Sequence, residues 1–155
     1  MYFSYAYFSD PLELPDIVVS HIEKTGAVLL NEKVEFSSQI FFAAARSSGC
    51  IIPEQVAKKP QFFVYERDSH RIRNATHIVA LANGPLQYIL TEVQEAILAA
   101  QFQKKQLNVL ILVTATAEIR LRRTMQLRGM SGDTIVIKSF ISSDMACREL
   151  ELFLA

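Results

Sequence analysis

The chain has 155 residues, of which 50% are hydrophobic and 21% are charged, and its 16 basic and 16 acidic residues give a formal net charge of zero. That much apolar surface excludes a disordered chain, and a mean hydropathy of +0.19 indicates that some of it is buried in an oligomer. A neutral chain has no overall attraction for a phosphate backbone, so nucleic-acid binding is not expected unless a local basic patch provides it.

The cysteines and the amino-terminal residues bear on the compartment of the protein. Cys50 and Cys147 are widely separated and show no metal-ligand spacing, which is typical of a reduced, intracellular protein. The opening Met1-Tyr2-Phe3-Ser4 lacks the basic region and apolar core of a secretory signal, and no apolar run approaches the ~20 residues of a membrane span. We therefore expect a cytoplasmic protein without membrane contact; a mitochondrial protein that has lost its presequence stays open.

The first part of the chain predicts a β-α-β opening. An aromatic-rich strand over residues 1–8 is followed by Ser9-Asp10-Pro11, a turn and helix-cap signature. Helical spacing of apolar residues begins after Leu12 and is stopped by Thr25-Gly26. Residues 27–30 then predict a second strand that runs in the same direction as the first.

The central part, residues 62–113, predicts helix, strand, loop, helix and strand, after a segment at residues 35–60 that predicts a short helix and a mobile loop. Residues 76–82 and 108–113 are apolar on both faces, which is typical of parallel strands covered on both sides. The loop 83–87 should lie at the carboxyl edge of the sheet, where open α/β sheets bind ligands. Glu92, near the first turn of the following helix, is expected to face that edge.

The last part predicts a helix over residues 118–128, a strand over 134–137 and a final helix capped by Ser143-Asp144. Strands and helices that alternate along one chain predict a three-layer α/β sandwich of the flavodoxin or Rossmann type. We expect a single domain over residues 1–155, with a five-stranded, mainly parallel sheet and helices on both of its faces.

Three pieces of the chain carry a resemblance to a known family. In chain order they are Tyr2-Phe3 with Phe8-Ser9-Asp10, then Gly26 to Val34, and then Tyr65-Glu66-Arg67-Asp68 followed by Ala75, Ile78-Val79-Ala80, Pro85 and Glu92. The third piece is the most specific, because the acidic-Arg-Asp cluster, the strand and the helix glutamate recur in the family at this spacing. On these residues the chain resembles the nucleoside 2-deoxyribosyltransferase family, and especially its branch of 2'-deoxynucleoside 5'-phosphate N-hydrolases.

The resemblance implies catalytic roles for three residues. Glu92 falls on the family's nucleophile, Asp68 on the aspartate beside the reacting sugar, and Tyr2 on the tyrosine of the first strand. Cleaving an N-glycosidic bond builds positive charge on the sugar, so one carboxylate attacks the anomeric carbon or stabilises the cation while another acid handles the proton of the leaving base. The implied activity is N-glycosidic cleavage or deoxyribosyl transfer on a 2'-deoxynucleoside or its 5'-monophosphate, without a cofactor or metal.

The resemblance also implies substrate contacts and a dimer. The substrate-binding positions are Tyr5, Pro85, Tyr88 and Thr124. Thr124 falls where the hydrolases carry a serine that is lent to the phosphate site of a neighbouring subunit, so we expect a homodimer or a larger assembly. Family members pair around the helix that follows the nucleophile position, which here covers residues 89–102.

Several pocket positions depart from the family pattern. Tyr5, Tyr88 and Leu90 stand where the family has glycines, and we expect them to add bulk where a ligand should sit. The phosphate-binding arginine of the hydrolases falls on Phe8 and a serine of the second loop falls on Leu86, which removes charge and donors from the phosphate pocket. The alternative function is therefore a catalytically degenerate member that acts as a structural or regulatory subunit of a protein assembly.

Without the resemblance, the same residues have ordinary structural interpretations. Glu92 would be a solvated carboxylate on an amphipathic helix, and Asp68 would cap a helix. The arginines of residues 120–128 would form a solvated helix face, or else contact a partner protein or RNA. The three histidines share no metal-ligand spacing, so contacts with solvent or local hydrogen bonds are expected.

Overall fold

The computed structural model describes residues 1–5, 13–30, 46–49, 51, 68–83, 86–130 and 134–155. The strands are β1 (Tyr2–Tyr5), β2 (His77–Ala82), β3 (Asn108–Thr114) and β4 (Ile135–Phe140). The helices are α1 (Glu13–Lys24), α2 (68–74), α3 (Gln87–Gln103), α4 (Glu118–Leu127) and α5 (Ser143–Leu154). Among these residues, no helix is both long enough and apolar enough to cross a lipid bilayer.

The four described strands form one parallel sheet in the order β1-β2-β3-β4. One row of the register pairs Tyr2 with Ile78, Ile78 with Val109, and Val109 with Ile135. The central strands β2 and β3 are buried almost throughout, because both of their faces are apolar and both are covered. The α/β class and the parallel arrangement that the sequence predicts are confirmed.

Helices cover both faces of the sheet. On one face, α1 and α5 pack on alternate residues of β2 and β3, with Val18 and Leu150 fully buried. On the other face, α2, α3 and α4 pack on the remaining strand residues, with Ile89 and Leu121 fully buried. Since successive strand residues point to opposite faces, β2 and β3 contribute to both cores. The described residues therefore form three layers, with the sheet in the middle.

The predicted second strand, residues 27–30, is not a strand in the structure. Its backbone nevertheless bonds to the residue before β1: the Met1 amino group donates to the Val28 carbonyl oxygen, and the Leu30 N–H donates to the Met1 carbonyl oxygen, each at 2.8 Å. Two bonds in this order match a parallel pairing of Leu29 with Met1. The described sheet has four strands, so the five-stranded prediction is not confirmed.

Some predicted elements lie outside the described residues. These are residues 6–8 of the first strand, the cap Ser9-Asp10-Pro11, and residues 35–60 apart from 46–49 and 51. Residues 65–67 of the charged cluster and Pro85 are outside as well. Consequently the structure tests the opening of the fold only through β1, α1 and the segment that follows α1 up to residue 30.

The carboxyl-terminal part shows two differences from the predicted boundaries. β4 continues to Phe140, beyond the predicted strand 134–137. The cap of α5 is Ser142 and not the predicted Ser143: Ser142 is extended, and its side chain accepts a hydrogen bond from the Met145 N–H at 3.3 Å. An extended backbone is the conformation in which a serine hydroxyl can reach the free N–H groups of the first turn.

Candidate active site

A hydrogen bond joins two of the three predicted catalytic residues. Tyr2 is the first residue of β1, and its side chain packs in the core between the sheet and α3 with only 4% of its surface exposed. Its hydroxyl donates to Glu92 Oε1 at 3.3 Å, across a sequence separation of 90 residues. The two residues that the resemblance pairs as nucleophile and orienter are therefore in contact.

The packing of α3 on the sheet determines how far Glu92 is exposed. It begins at Gln87, directly after the loop that leaves β2, and its buried face carries Ile89, Val93 and Ala96. Those residues follow helical spacing and pack on the sheet. Glu92 lies beside this stripe and is half-buried, in the second turn of α3 rather than near its first turn. Its carboxylate is thus partly withdrawn from water where it meets the tyrosine hydroxyl.

Asp68 lies on α2, the helix that precedes β2. It is half-buried, and its Oδ1 atom is 3.9 Å from Arg71 Nη1, one turn further along the same helix. The buried Ile72 holds α2 on the same core that α3 covers. Asp68 and Glu92 therefore belong to two helices on the same face of the sheet.

A carboxylate that the sequence analysis did not single out connects these two helices. Glu95 of α3 accepts hydrogen bonds from Ser69 Oγ at Oε2 and from Arg73 Nε at Oε1, each at 3.2 Å. Ser69 and Arg73 are four residues apart, so the sequence alone predicts that they lie on one face of a helix. Their common partner on another helix could not be identified from that spacing.

Leu90 and Leu86, which both depart from the family pattern, are core residues. Leu90 has no exposed surface and lies in the core between α3 and the sheet. Leu86 is also buried, with 7% exposure, in the same core. The reason is that α3 begins at Gln87, so that its first turn directs Leu90 at the sheet instead of at a loop. Neither leucine supplies a donor to a ligand.

The structure places the predicted substrate-binding residues only in part. Tyr5 pairs with Leu81 in the sheet and Tyr88 lies in the first turn of α3, while their side chains and all of Pro85 are outside the description. Thr124 is in α4, where its hydroxyl donates to the Arg120 carbonyl oxygen at 2.8 Å. This bond is internal to the helix, and serine and threonine side chains commonly form it.

Arg128 makes a contact near Glu92 that the sequence does not predict. Its Nη1 atom donates to Thr91 Oγ1 at 3.5 Å, which brings the end of α4 next to the residue before Glu92. Thr91 Oγ1 in turn donates to the Gln87 carbonyl oxygen at 2.7 Å. The basic stretch of residues 120–128 therefore has at least one member directed towards α3.

His77 and Cys147 have shifted pKa values. His77 contacts Thr76 Oγ1 through Nδ1 at 3.0 Å and Asn108 Nδ2 through Nε2 at 3.3 Å, and burial lowers its pKa. Burial also raises the pKa of the Cys147 thiol, and the nearby carboxylates of Asp144 and Glu151 add to the effect. Within the described ranges, no cluster of His, Cys, Asp and Glu side chains could hold a metal ion.

Two open grooves flank the described helices. One, of about 650 Å³, runs along the outer face of α3 and is lined by residues that include Glu95, Leu98 and Phe102. The other, of about 680 Å³, lies between α1 and α5, where His21 Nε2 is 2.8 Å from Glu151 Oε1. Both are surface grooves that do not include Tyr2 or Glu92 in their lining.

Comparison with known proteins found no matching family, no similar curated protein and no similar solved structure.

Proposed function

We propose that the protein cleaves the N-glycosidic bond of a 2'-deoxynucleoside or its 5'-monophosphate, or transfers the deoxyribosyl group to another base, with Glu92 as the nucleophile. The observation that carries the proposal is the hydrogen bond from the Tyr2 hydroxyl to Glu92 Oε1. A half-buried carboxylate oriented by a tyrosine is suited to attack on an anomeric carbon, because its direction is set before the substrate arrives.

The chemistry divides between two carboxyl groups. Glu92 attacks the anomeric carbon of the deoxyribose, and the bond from that carbon to the base nitrogen breaks. Asp68, on α2, supplies a proton to the departing base. The glycosyl-enzyme ester then passes the sugar to water, which gives hydrolysis, or to a second base, which gives transfer. Tyr2 touches the nucleophile and holds its orientation.

The phosphate of a monophosphate substrate should contribute little to binding. Leu86 is buried in the core and presents no donor, and the family's phosphate-binding arginine is replaced by Phe8, which lies outside the described residues. Nucleosides should therefore be cleaved at least as well as their monophosphates, which is the reverse of the preference expected for the hydrolase branch.

A second candidate function is a catalytically degenerate subunit of a larger assembly. The substitutions of Tyr5 and Tyr88 for family glycines favour it. Leu90 also stands where the family has a glycine, and its side chain lies in the core. The Tyr2–Glu92 contact favours the enzyme, because it holds the proposed nucleophile in one orientation.

The proposal extends to the fold and the assembly. We infer that residues 27–30 mark the position of a fifth strand beside β1, as in flavodoxin-like sheets, because their backbone makes two bonds to Met1. We also infer a homodimer that pairs through α3, whose outward Leu98 and Phe102 are 58% and 90% exposed. Large exposed apolar side chains beside one groove are typical of a protein interface.

Release of free base tests the proposed function. Purified protein should release base from at least one of the four 2'-deoxynucleosides or their monophosphates, as measured by chromatography. Glu92→Ala should lower the rate by roughly 10³-fold or more, because the covalent route has no substitute for its nucleophile.

Glu118→Ala is the matched control for this experiment. Glu118 is also a helix glutamate, but it pairs with Arg122 at 2.9 Å within α4 and should leave the rate unchanged. A folded protein that releases no base from any of these substrates would support the degenerate subunit instead.

A further inference from the structure

Glu95 has no part in the proposed reaction, yet its carboxylate binds two side chains of α2. Ser69 Oγ and Arg73 Nε each donate to it at 3.2 Å, one to each carboxylate oxygen. The side chain of Ser69 is polar, yet the residue is buried, with only 4% of its surface exposed. A buried hydroxyl is costly unless it is hydrogen-bonded, so the Ser69–Glu95 pair holds α2 and α3 together at a defined distance.

The spacing on both helices places this link next to the catalytic pair. Ser69 directly follows Asp68, and Arg73 lies one turn beyond Ser69 on the same face of α2. Glu95 lies one turn beyond Glu92 on α3, and residues three apart on a helix are neighbours. A displacement of α2 relative to α3 at Glu95 would therefore move Asp68 relative to Glu92.

We propose that Glu95 is a positioning residue, which fixes α2 against α3 so that Asp68 is held at the right place relative to Glu92. The role depends on the proposed function, since it concerns the two carboxyl groups of that reaction. Glu95 acts through Ser69 and Arg73 and touches no substrate. Its contribution is geometric, because an acid that is misplaced by about 1 Å can lose roughly 100-fold in rate.

Kinetics of two variants test the role. Glu95→Ala removes both acceptors and should lower kcat by roughly 10-fold to 100-fold with a smaller change in KM. Glu95→Gln keeps an acceptor oxygen for one of the α2 donors and should recover most of that loss. Glu118→Ala, which removes an ion pair confined to α4, should leave kcat and KM unchanged.

A double variant separates positioning from a general effect on the fold. If Glu95 acts through Asp68, Glu95→Ala should cause no further loss of kcat in an Asp68→Asn background. If Glu95 only stabilises the protein, the two losses should multiply. Multiplied losses, or a wild-type kcat for Glu95→Ala, would overturn the proposal.

Hydrogen exchange tests the helix link without relying on activity. In Glu95→Ala the backbone amides of residues 68–74 should exchange faster, while those of α4 should not change. Unchanged exchange in α2 would refute the link. If the wild type releases no base although exchange in α2 depends on Glu95, the proposed function and the positioning role fail together, and the link is shown to be structural only.

Discussion

At the scale of single residues, the Tyr2 side chain serves two environments. Its ring lies in the core under α3, where 4% of the residue is exposed, and its hydroxyl reaches the Glu92 carboxylate. A tyrosine can satisfy both because its apolar ring ends in a polar group that needs a partner when buried. The contact thus ties the orientation of the proposed nucleophile to the packing of β1.

Tyr2→Phe isolates the hydroxyl, because the ring that fills the core remains. A hydrogen bond to a charged group is worth about 1.5–3 kcal/mol, which corresponds to a loss of roughly 10-fold to 100-fold in kcat. The release of base measured at saturating nucleoside checks this. A kcat equal to that of the wild type would show that Tyr2 does not orient the nucleophile, provided that the variant has kept its thermal transition.

At the scale of elements, α5 depends on a cap that lies one residue before the predicted one. Ser142 has an extended backbone, and its hydroxyl accepts from the Met145 N–H at 3.3 Å. The helix that follows buries Ala146 and Leu150 against α1 and the sheet. The cap therefore stabilises a helix that also contributes side chains to one of the two cores.

Ser142→Ala should lower the free energy of unfolding by about 0.5–2 kcal/mol, the usual cost of losing a serine cap. Ser143→Ala, at the residue that the sequence predicts as part of the cap, should change it by less. Urea denaturation followed by circular dichroism, with equal slopes for both variants, gives the comparison. A larger loss for Ser143→Ala would contradict the assignment of the cap.

At the scale of the whole molecule, the outer face of α3 is the surface on which an assembly would form. Leu98 and Phe102 are exposed along the groove of about 650 Å³, although the opposite side of the same helix is fully buried. A two-fold symmetric dimer uses the same surface on both subunits, so both copies of Leu98 and Phe102 would be buried in the interface. Such a contact would also lie on the helix that carries Glu92 and Glu95.

Light scattering at low micromolar concentration should give a mass of twice the 17.5 kDa of one chain. Phe102→Glu should reduce it to the mass of one chain, because it places a charge in the proposed apolar contact. Ile119→Glu is the matched control, since Ile119 is 84% exposed on α4, and it should leave the dimer intact. A wild-type mass near 17.5 kDa would rule out the dimer.

The sequence predicts the central strands correctly but not the state of every apolar segment. Residues 76–82 and 108–113 predict buried strands, and they are found in β2 and β3 of the parallel sheet. Residues 27–30 have the same apolar composition but are not a strand, and Val28 is 76% exposed. Apolar composition indicates that a segment can be buried. A strand forms only where a neighbouring strand also supplies hydrogen bonds along the whole segment.

Alternation of apolar strands with helices was by itself sufficient to determine the α/β class and the parallel sheet, because both follow from local periodicity and the need to cover both faces. Tertiary structure decided which side chains meet. Tyr2 reaches Glu92 across 90 residues, Leu90 turns into the core, and Glu95 binds Ser69 of another helix. These contacts depend on how far each helix slides and rotates on the sheet, which periodicity within a single segment does not encode.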